Sequence, residues 1–190
     1  MANLSIKTGT ISRSMLVGNP PYSPPAFESI ATISPVSASV SFTSIPSTYK
    51  HLQLRYLART TSAGATLNDI NIRFNNDSAS NYAFHFLRGS GSTPSVSSGT
   101  TTTSIQANDV LTGAGSTAGT FAVGVIDIHD YSLTTKNKTA RLYTGNDQNG
   151  EGYVSLSSGL WMNTAAINRI DITQTFANGS IFSLYGIKGN

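Results

Sequence analysis

Period-two alternation of apolar and polar residues is the feature that most constrains how this chain can fold. In YKHLQLRYLA, residues 49–58, every second residue from Leu52 to Ala58 is apolar, with Gln53 and Arg55 between them. Such alternation predicts strands with one buried face. Elsewhere the polar positions are mostly Ser, Thr, Asn and Gly, since only 11% of the residues are charged. Hydroxyls and amides cost less to desolvate than charges, so we expect a sheet protein whose surface contacts other protein.

Further alternating runs cover most of the chain after residue 35. In VSASVSF, residues 36–42, we predict that Val36, Ala38, Val40 and Phe42 share the inner face. The other runs are INIRF, NYAFHF, FAVGVIDIHDY, KTARLYTG, YVSLSSGLWM, INRIDITQTF and SIFSLYGIK. FAVGVIDIHDY is the most apolar and is predicted to be a central strand, and no segment has a sustained helical period. About eight to ten strands predict an all-β fold, an antiparallel β-sandwich, with the jelly roll as its expected form.

Turn-forming residues separate the runs. Asn178-Gly179 predicts a two-residue hairpin, because a type I′ turn needs positive φ at both central positions. NDQNGEG, which contains Asn149-Gly150, predicts a second hairpin with a longer loop. The residues from Asn75 to Asp77 predict a turn, with a cation site as a minor alternative. GSGSTPSVSSGTTTTS, residues 89–104, is too polar to build core and predicts a surface loop with at most one weak strand.

Residues 1–35 predict an extended, proline-rich N-terminal arm that precedes a single β-sandwich domain at residues 36–190. Proline fixes φ and lacks a backbone donor, so the prolines on both sides of Tyr22 favour polyproline-like backbone. Nearby apolar side chains indicate that the arm contacts protein, either its own domain or a neighbouring subunit. The predicted partner-contact residues are Met15, Leu16, Pro20, Pro21, Tyr22, Pro24, Pro25 and Phe27.

Charge and composition argue against several function classes. Lys and Arg number 12 and Asp and Glu number 9, and the basic residues are scattered from Lys7 to Lys188, so we expect no nucleic-acid partner. The absence of cysteine excludes disulfides and thiolate chemistry. No apolar stretch approaches the ~20 residues of a membrane helix, and the N-terminal residues lack the apolar run of a signal peptide. We expect a soluble protein with no membrane partner.

No arrangement of residues predicts an active site. His51, His85 and His129 lie in or at the ends of predicted strands, with no second histidine at metal-ligand spacing. Asp127 and His129 share a strand face, but the Ser and Thr residues are too many to single out a nucleophile. NDQNGEG matches a calcium loop only in part, and a hairpin loop is favoured. We therefore expect no enzyme activity, no catalytic residues, no cofactor, no metal site and no small-molecule ligand.

Four segments of the chain resemble small virion structural proteins of tailed bacteriophages. They are SMLVGNPPYSPPAFESIATI, FTSIPSTYKHLQLRYLART, INIRFNNDSASNYAFHFLRG and FSLYGIKGN. The resemblance extends from about Met15 to Ile187, and IPSTYKHLQLR, the RFNND…NYAFH run and SLYGIK are its most distinctive parts. It implies a non-enzymatic, β-rich component of the phage particle, with a jelly roll as its form. It leaves both a capsid and a tail position open.

Two structural roles follow as hypotheses. In the first, the chain is a capsid decoration, or cement, protein on the exterior of the virion, made in the host cytoplasm. It would form a homotrimer, and its arm around Pro20–Phe27 would bind the major capsid protein or another copy. In the alternative, it is a tail, baseplate or fibre component whose loops at residues 89–104 and 146–152 bind a receptor or glycan. A depolymerase enzyme is the least favoured hypothesis. Many identical copies would suit this composition, because repetition multiplies weak contacts.

Overall fold

The computed structural model describes residues 26–189, which contain twelve β-strands and no helix. The strands are β1 (Phe27–Ile33), β2 (Ala38–Phe42), β3 (His51–Ala58), β4 (Leu67–Phe74), β5 (Tyr82–Gly89), β6 (Pro94–Thr102), β7 (Ile105–Thr112), β8 (Ala122–His129), β9 (Lys138–Asp147), β10 (Gly152–Trp161), β11 (Ile170–Phe176) and β12 (Ile181–Ile187). The pairings between these strands are all antiparallel, which confirms the predicted all-β sandwich. No helix that could cross a membrane occurs among the described residues.

The strands form two sheets of unequal size. The larger has eight strands in the order β1-β12-β3-β8-β9-β10-β5-β6, and the smaller has four in the order β2-β11-β4-β7. β8, which carries the most apolar run, is fourth in the larger sheet and therefore central, as predicted. The smaller sheet has half as many strands as the larger one, so it has less surface with which to cover the inner face of the larger sheet.

The core lies between the two sheets and is built from the inward residues of each alternating run. In β3, Leu52, Leu54, Tyr56 and Ala58 are all buried, as their alternation predicts. The smaller sheet supplies Ile70, Ile72 and Phe74 from β4, and each is completely buried. Burying a side chain of this size contributes about 1.5–3 kcal/mol, so the core is what holds the sheets together.

Trp161 joins strands from both sheets. Its ring centroid lies 5.7 Å from that of Phe74 in β4 and 6.2 Å from that of Tyr82 in β5. Its indole Nε1 donates a hydrogen bond of 2.8 Å to Asp77 Oδ2, in the turn predicted for residues 75–77. That turn is confirmed, since Asp77 N donates to Phe74 O over 2.9 Å. The turn carries the chain from the smaller sheet to the larger one.

One of the two predicted hairpins is confirmed and the other is wrong. Asn149 and Gly150 have φ values of 64° and 113°, and they join β9 to β10 as antiparallel neighbours. Asn178-Gly179 instead connects β11 of the smaller sheet to β12 of the larger one. There only Gly179 has positive φ, at 90°. Positive φ at the second central residue alone is type II geometry, which splays the flanking strands apart.

Four other segments differ, wholly or in part, from the predictions. Val36 is 65% exposed and Ala38 is also exposed, because β2 begins only at Ala38, after Ser37 with φ of 51°. β7 was not predicted, since Asp109 with φ of 55° interrupts its alternation. Within the polar stretch 89–104, residues 94–102 form one strand without a core residue, as predicted, but that strand, β6, is nine residues long rather than weak. β1 lies inside the range that was assigned to the arm and pairs with β12.

Candidate functional site

The outer face of the larger sheet, turned away from the smaller sheet, carries most of the exposed apolar side chains. Among residues 26–189, nine of the twelve large apolar side chains that are exposed lie on it. These nine are Phe27, Leu57, Leu87, Val96, Val123, Tyr143, Val154, Leu156 and Ile181, and the other three are Val36, Leu133 and Met162. Contiguous apolar patches of this kind mark interaction sites on soluble proteins. The outer face is therefore the candidate functional site.

Strand register arranges these side chains in two neighbouring rows across the sheet. The first row, which we call the apolar row, runs Val96, Leu87, Leu156, Tyr143 and Val125 from β6 to β8. The second row lies two residues away along each strand and runs Val154, Gly145, Val123, Leu57 and Ile181. Side chains on one face of a sheet repeat every second residue, so the rows touch and form one band.

β10 contributes side chains to both rows of the band, and two of its apolar side chains are exposed while two of its serines are buried. Val154 and Leu156 are 56% and 51% exposed, whereas Ser155 and Ser157 are 0% and 2% exposed. The two buried hydroxyls lie 3.3 Å apart and hydrogen-bond to each other. Trp161 shares the inner face with the serines, and burying its large ring sets the parity of the whole strand.

Close packing of β7 on β10 enforces the same parity. A Cβ added to Gly159, on the inner face, would lie 2.3 Å from Ile105 Cγ2 of β7. Only small side chains therefore fit beneath β7, and the valine and leucine of β10 face outward. Because Val154 and Leu156 are 56% and 51% exposed, roughly half of the ~1.5–3 kcal/mol gained by full burial of each side chain is unused in the isolated chain.

A row of polar residues, the polar row, borders the apolar row, and the charged side chains within it pair with each other. It includes His85, Ser158, Arg141, Asp127 and Gln53 in register. Asp127 accepts hydrogen bonds from Arg141 Nη2 over 2.9 Å and from Gln53 Nε2 over 2.8 Å. Burial alone would raise the pKa of Asp127, but these hydrogen bonds outweigh it and the pKa is lowered. The one carboxylate of the row is thus paired, and the band keeps a neutral border.

Two shallow grooves follow the band. One, of about 540 Å³, is lined by side chains that include His85, Leu87, Val96 and Leu156. The other, of about 400 Å³, is lined by residues that include Val123, Val125, Tyr143 and Val154. Both grooves are open and mostly apolar, which suits the side chains of another protein better than a charged ligand.

The two loops that the tail hypothesis named come together at one end of the sheet. The turn of Gly89, Ser90 and Gly91 faces the β9–β10 turn across a depression of about 270 Å³. Asp147 and Glu151 line this depression beside Tyr153. Asp147 Oδ1 already accepts a hydrogen bond of 2.9 Å from Asn149 N, as in an ordinary turn. No cluster of three or more His, Cys, Asp or Glu able to hold a metal ion occurs among the described residues.

The histidines do not form a catalytic arrangement with the aspartates. His51 and His129 are cross-strand partners whose rings meet edge-on at 4.7 Å, and His85 lies apart on the outer face. Asp130 N donates to His51 Nδ1 over 3.1 Å. The Asp130 carboxylate pairs with Lys136 at 2.6 Å and Lys50 at 2.9 Å, and these lysines lower its pKa. The cluster therefore ties the end of β8 to β3.

Only one predicted partner-contact residue falls within the described part of the chain. Phe27 begins β1, is 46% exposed and lies on the outer face. The Arg55 guanidinium carbon lies 5.9 Å from its ring centroid and 5.4 Å from that of Tyr185. The remaining predicted contacts, Met15, Leu16, Pro20, Pro21, Tyr22, Pro24 and Pro25, lie outside the described residues.

The sequence predictions missed the apolar band itself. In YVSLSSGLW, alternation alone does not say whether Val154 and Leu156 or the intervening serines face inward. The parity of Trp161 was the available signal, because it matches the serines. Comparison with known proteins adds nothing to this assignment, since no protein-family model and no curated protein sequence matches the chain at a significant level.

Proposed function

We propose that the chain is a non-enzymatic structural protein of a bacteriophage virion, a capsid decoration protein that binds the outer shell and stabilises capsomer contacts. The resemblance of its sequence to small phage virion proteins motivates the proposal. Its partners would be the major capsid protein and further copies of itself as a homotrimer. The outer face of the larger sheet is the surface by which we expect it to be held.

The outward orientation of Val154 and Leu156 in β10 is the observation that carries the proposal. A chain that buries serines and exposes a valine and a leucine gains stability once another protein covers the exposed pair. The paired carboxylate of Asp127 leaves little charge to desolvate beside them. A contact of this kind, repeated over many subunits, is strong although each copy contributes little.

The order of the strands supports a jelly roll as the finer description of the sandwich. β1-β12-β3-β8 and β2-β11-β4-β7 would be its two four-stranded sheets, and consecutive strands of this set mostly alternate between them. The hairpins β5–β6 and β9–β10 would then be insertions that extend the larger sheet. Jelly rolls are common in viral capsid and lectin domains. Fold does not imply function, so this strand order supports the proposal but is not its main evidence.

The outer face can be tested with paired substitutions that leave the core untouched. In the double variant Val154→Ser with Leu156→Ser, we expect capsid binding to weaken at least about tenfold, because covering the exposed half of each side chain contributes roughly 0.8–1.5 kcal/mol. Val36→Ser with Met162→Ser is the matched control, since those side chains are 65% and 43% exposed elsewhere. Occupancy on undecorated capsids is measured by co-sedimentation and gel densitometry. Equal binding of both double variants would remove the outer face from the proposal.

The contribution of the arm needs a separate deletion. A deletion of residues 1–25 spares β1, which begins at Phe27, whereas a deletion through residue 35 would remove an edge strand of the larger sheet. We expect the shorter deletion to lower capsid occupancy while the unfolding transition stays unchanged. Unchanged occupancy would show that the predicted contacts of the arm are not used.

A tail or fibre protein that binds a receptor or glycan is the second candidate function. The depression between the β5–β6 and β9–β10 turns favours it, because Tyr153, Asp147 and Glu151 converge there as an aromatic surface with polar groups. Copy number separates the two roles: on the order of hundreds per particle indicates the capsid, and on the order of tens or fewer indicates the tail. Quantitative densitometry of purified virions provides the number.

A further inference from the structure

β6 is an edge strand whose residues from Ser95 to Gly99 lack the features by which edge strands usually avoid pairing. It ends the larger sheet, and β5 is its one strand partner in the described part of the chain. An exposed edge offers a row of unpaired N–H and C=O groups to any strand that approaches. Natural edges are usually protected by charges, prolines, bulges or shortness.

The sequence of β6, PSVSSGTTT, contains no charged residue, and its single proline is the first residue. Ser95 to Gly99 pair residue by residue with Arg88 to Phe84 of β5. The irregularity of the strand comes later, near Thr101, which has φ of 53°. At least five consecutive residues therefore present a regular, uncharged edge.

The other three sheet edges are protected. β1 has a register shift between Ser29 and Ala31, and Glu28 beside it pairs with Lys188. β7 is interrupted at Asp109, which has φ of 55° and pairs with Arg88. β2 has only five residues, and a register shift between Ile172 and Phe176 of β11 leaves three of them, Val40 to Phe42, in consecutive pairing. Among the edge strands, β6 thus differs from β1, β2 and β7 in presenting a regular and uncharged edge.

We propose that β6 pairs antiparallel with β6 of a second copy of this chain, about a twofold axis. A twofold contact brings identical surfaces together, and an uncharged strand can meet itself without repulsion. The apolar row also reaches this edge, since Val96 is 75% exposed and stands beside Leu87, which is 52% exposed. With the axis at Val96, pairing would place the apolar rows of the two copies end to end and bring the two valines into contact.

The contact is weak in free solution and gains strength from repetition. Pairing of two edge strands buries less than the ~1,200 Å² typical of stable complexes. Held in a lattice of copies, the same contact acts at high effective concentration. It concerns two copies in solution and does not rest on a place in the virion, so its failure would leave the capsid-binding experiments unaffected.

The absence of cysteine from the chain makes disulfide scanning free of background. Single cysteines are placed at Ser95, Val96, Ser97 and Ser98, with Val36→Cys as the control because Val36 is 65% exposed away from β6. In an antiparallel pair the residue on the axis faces its own copy with Cα atoms about 4.5–5.5 Å apart, within the range of a disulfide. Opposite residues of an antiparallel pair share a face of the sheet, so the axis coincides with one residue position and does not fall between two.

We expect one position to form covalent dimers about tenfold faster than Val36→Cys, with the rate falling on both sides of it. Concentration-dependent association measured by sedimentation velocity is expected to disappear in Val96→Lys, which sets two charges against each other, and to persist in Val36→Lys. Uniform cross-linking at the control rate, or association that Val96→Lys leaves intact, would overturn the proposal. Cross-linking of β6 to a capsid protein in place of a second copy would overturn it as well.

Discussion

Asp77 is the residue whose removal most directly tests how the two sheets are joined. Its carboxylate accepts hydrogen bonds from Trp161 Nε1 and Asn81 Nδ2, both at 2.8 Å, and from Ala79 N at 2.9 Å. Burial alone would raise the pKa of Asp77, but the hydrogen bonds outweigh it and the pKa is lowered. The carboxylate is therefore ionised at neutral pH and holds the indole in place.

Asp77→Ala is expected to lower the free energy of unfolding by about 3 kcal/mol. Trp161 is only 1% exposed, and a buried donor left without an acceptor costs about 1–3 kcal/mol. The hydrogen bonds from Asn81 and Ala79 lie nearer the surface and add about 0.5–1 kcal/mol each. In a chain of this size the loss corresponds to a fall in melting temperature of about 6–12 °C.

Urea denaturation followed by tryptophan fluorescence measures the effect at its source, since Trp161 is the only tryptophan. Asp147→Ala is the matched control, because Asp147 accepts one hydrogen bond within an exposed turn, from Asn149 N at 2.9 Å, and contacts no core side chain through it. We expect the control to cost about 0.5–1 kcal/mol. Circular dichroism provides the same midpoint independently of the indole environment.

Equal losses of stability in the two alanine variants would mean that the hydrogen bond to the buried indole does not make Asp77 more important than a surface turn residue. A double-mutant cycle of Asp77→Ala with Trp161→Phe sharpens the result, because contacting residues show coupling energies of about 0.5–3 kcal/mol. A coupling below that range would mean that the hydrogen bond does not connect the turn to the core, and that the cost of Asp77→Ala arises in the turn alone.

Two further outcomes are expected. Gly159→Ala places a Cβ 2.3 Å from Ile105 Cγ2 and should lower the free energy of unfolding, measured by chemical denaturation, by about 1–3 kcal/mol. Gly145→Ala is the control and should cost less, because its Cβ would lie 3.7 Å from the nearest atom. Equal losses of stability would contradict the close packing of β7 on β10. The pKa of His51 is lowered, first by burial and then by the nearby His129. The folded protein therefore favours neutral His51, and the stability that this contributes is present above the unfolded pKa of about 6.5 and is lost as pH falls. Thermal denaturation of His51→Gln should therefore show a smaller loss between neutral and mildly acidic pH, and an unchanged slope would show that other groups set it.

The period of the sequence accounts for the class of fold and for much of the core. Leu52, Leu54 and Tyr56 are buried because side chains alternate between the faces of a strand, whatever the strand's neighbours are. A second local preference predicts the hairpin at Asn149-Gly150, because few other residue pairs adopt positive φ twice in succession. These features depend on residues close together in the chain, and they can be deduced before any tertiary contact is known.

Where local information does not distinguish two outcomes, the tertiary structure decides. Asn178-Gly179 could close a hairpin or carry the chain between sheets, and the strand partners of β11 and β12 select the second. Asp109 breaks the alternation of residues 105–112, so only the pairing of this segment with β4 identifies it as the strand β7.

The candidate interaction surface depends on the same kind of decision. The alternation of YVSLSSGLW requires that one set of side chains face inward, and it is equally consistent with either set. The burial of Trp161 and the approach of Ile105 to Gly159 choose the serines. The sequence by itself therefore determined that strands with two distinct faces would form. The burial of Trp161 and the packing of β7 on β10 decided that the apolar face would be turned outward, because that choice depends on the space available between residues distant in the chain.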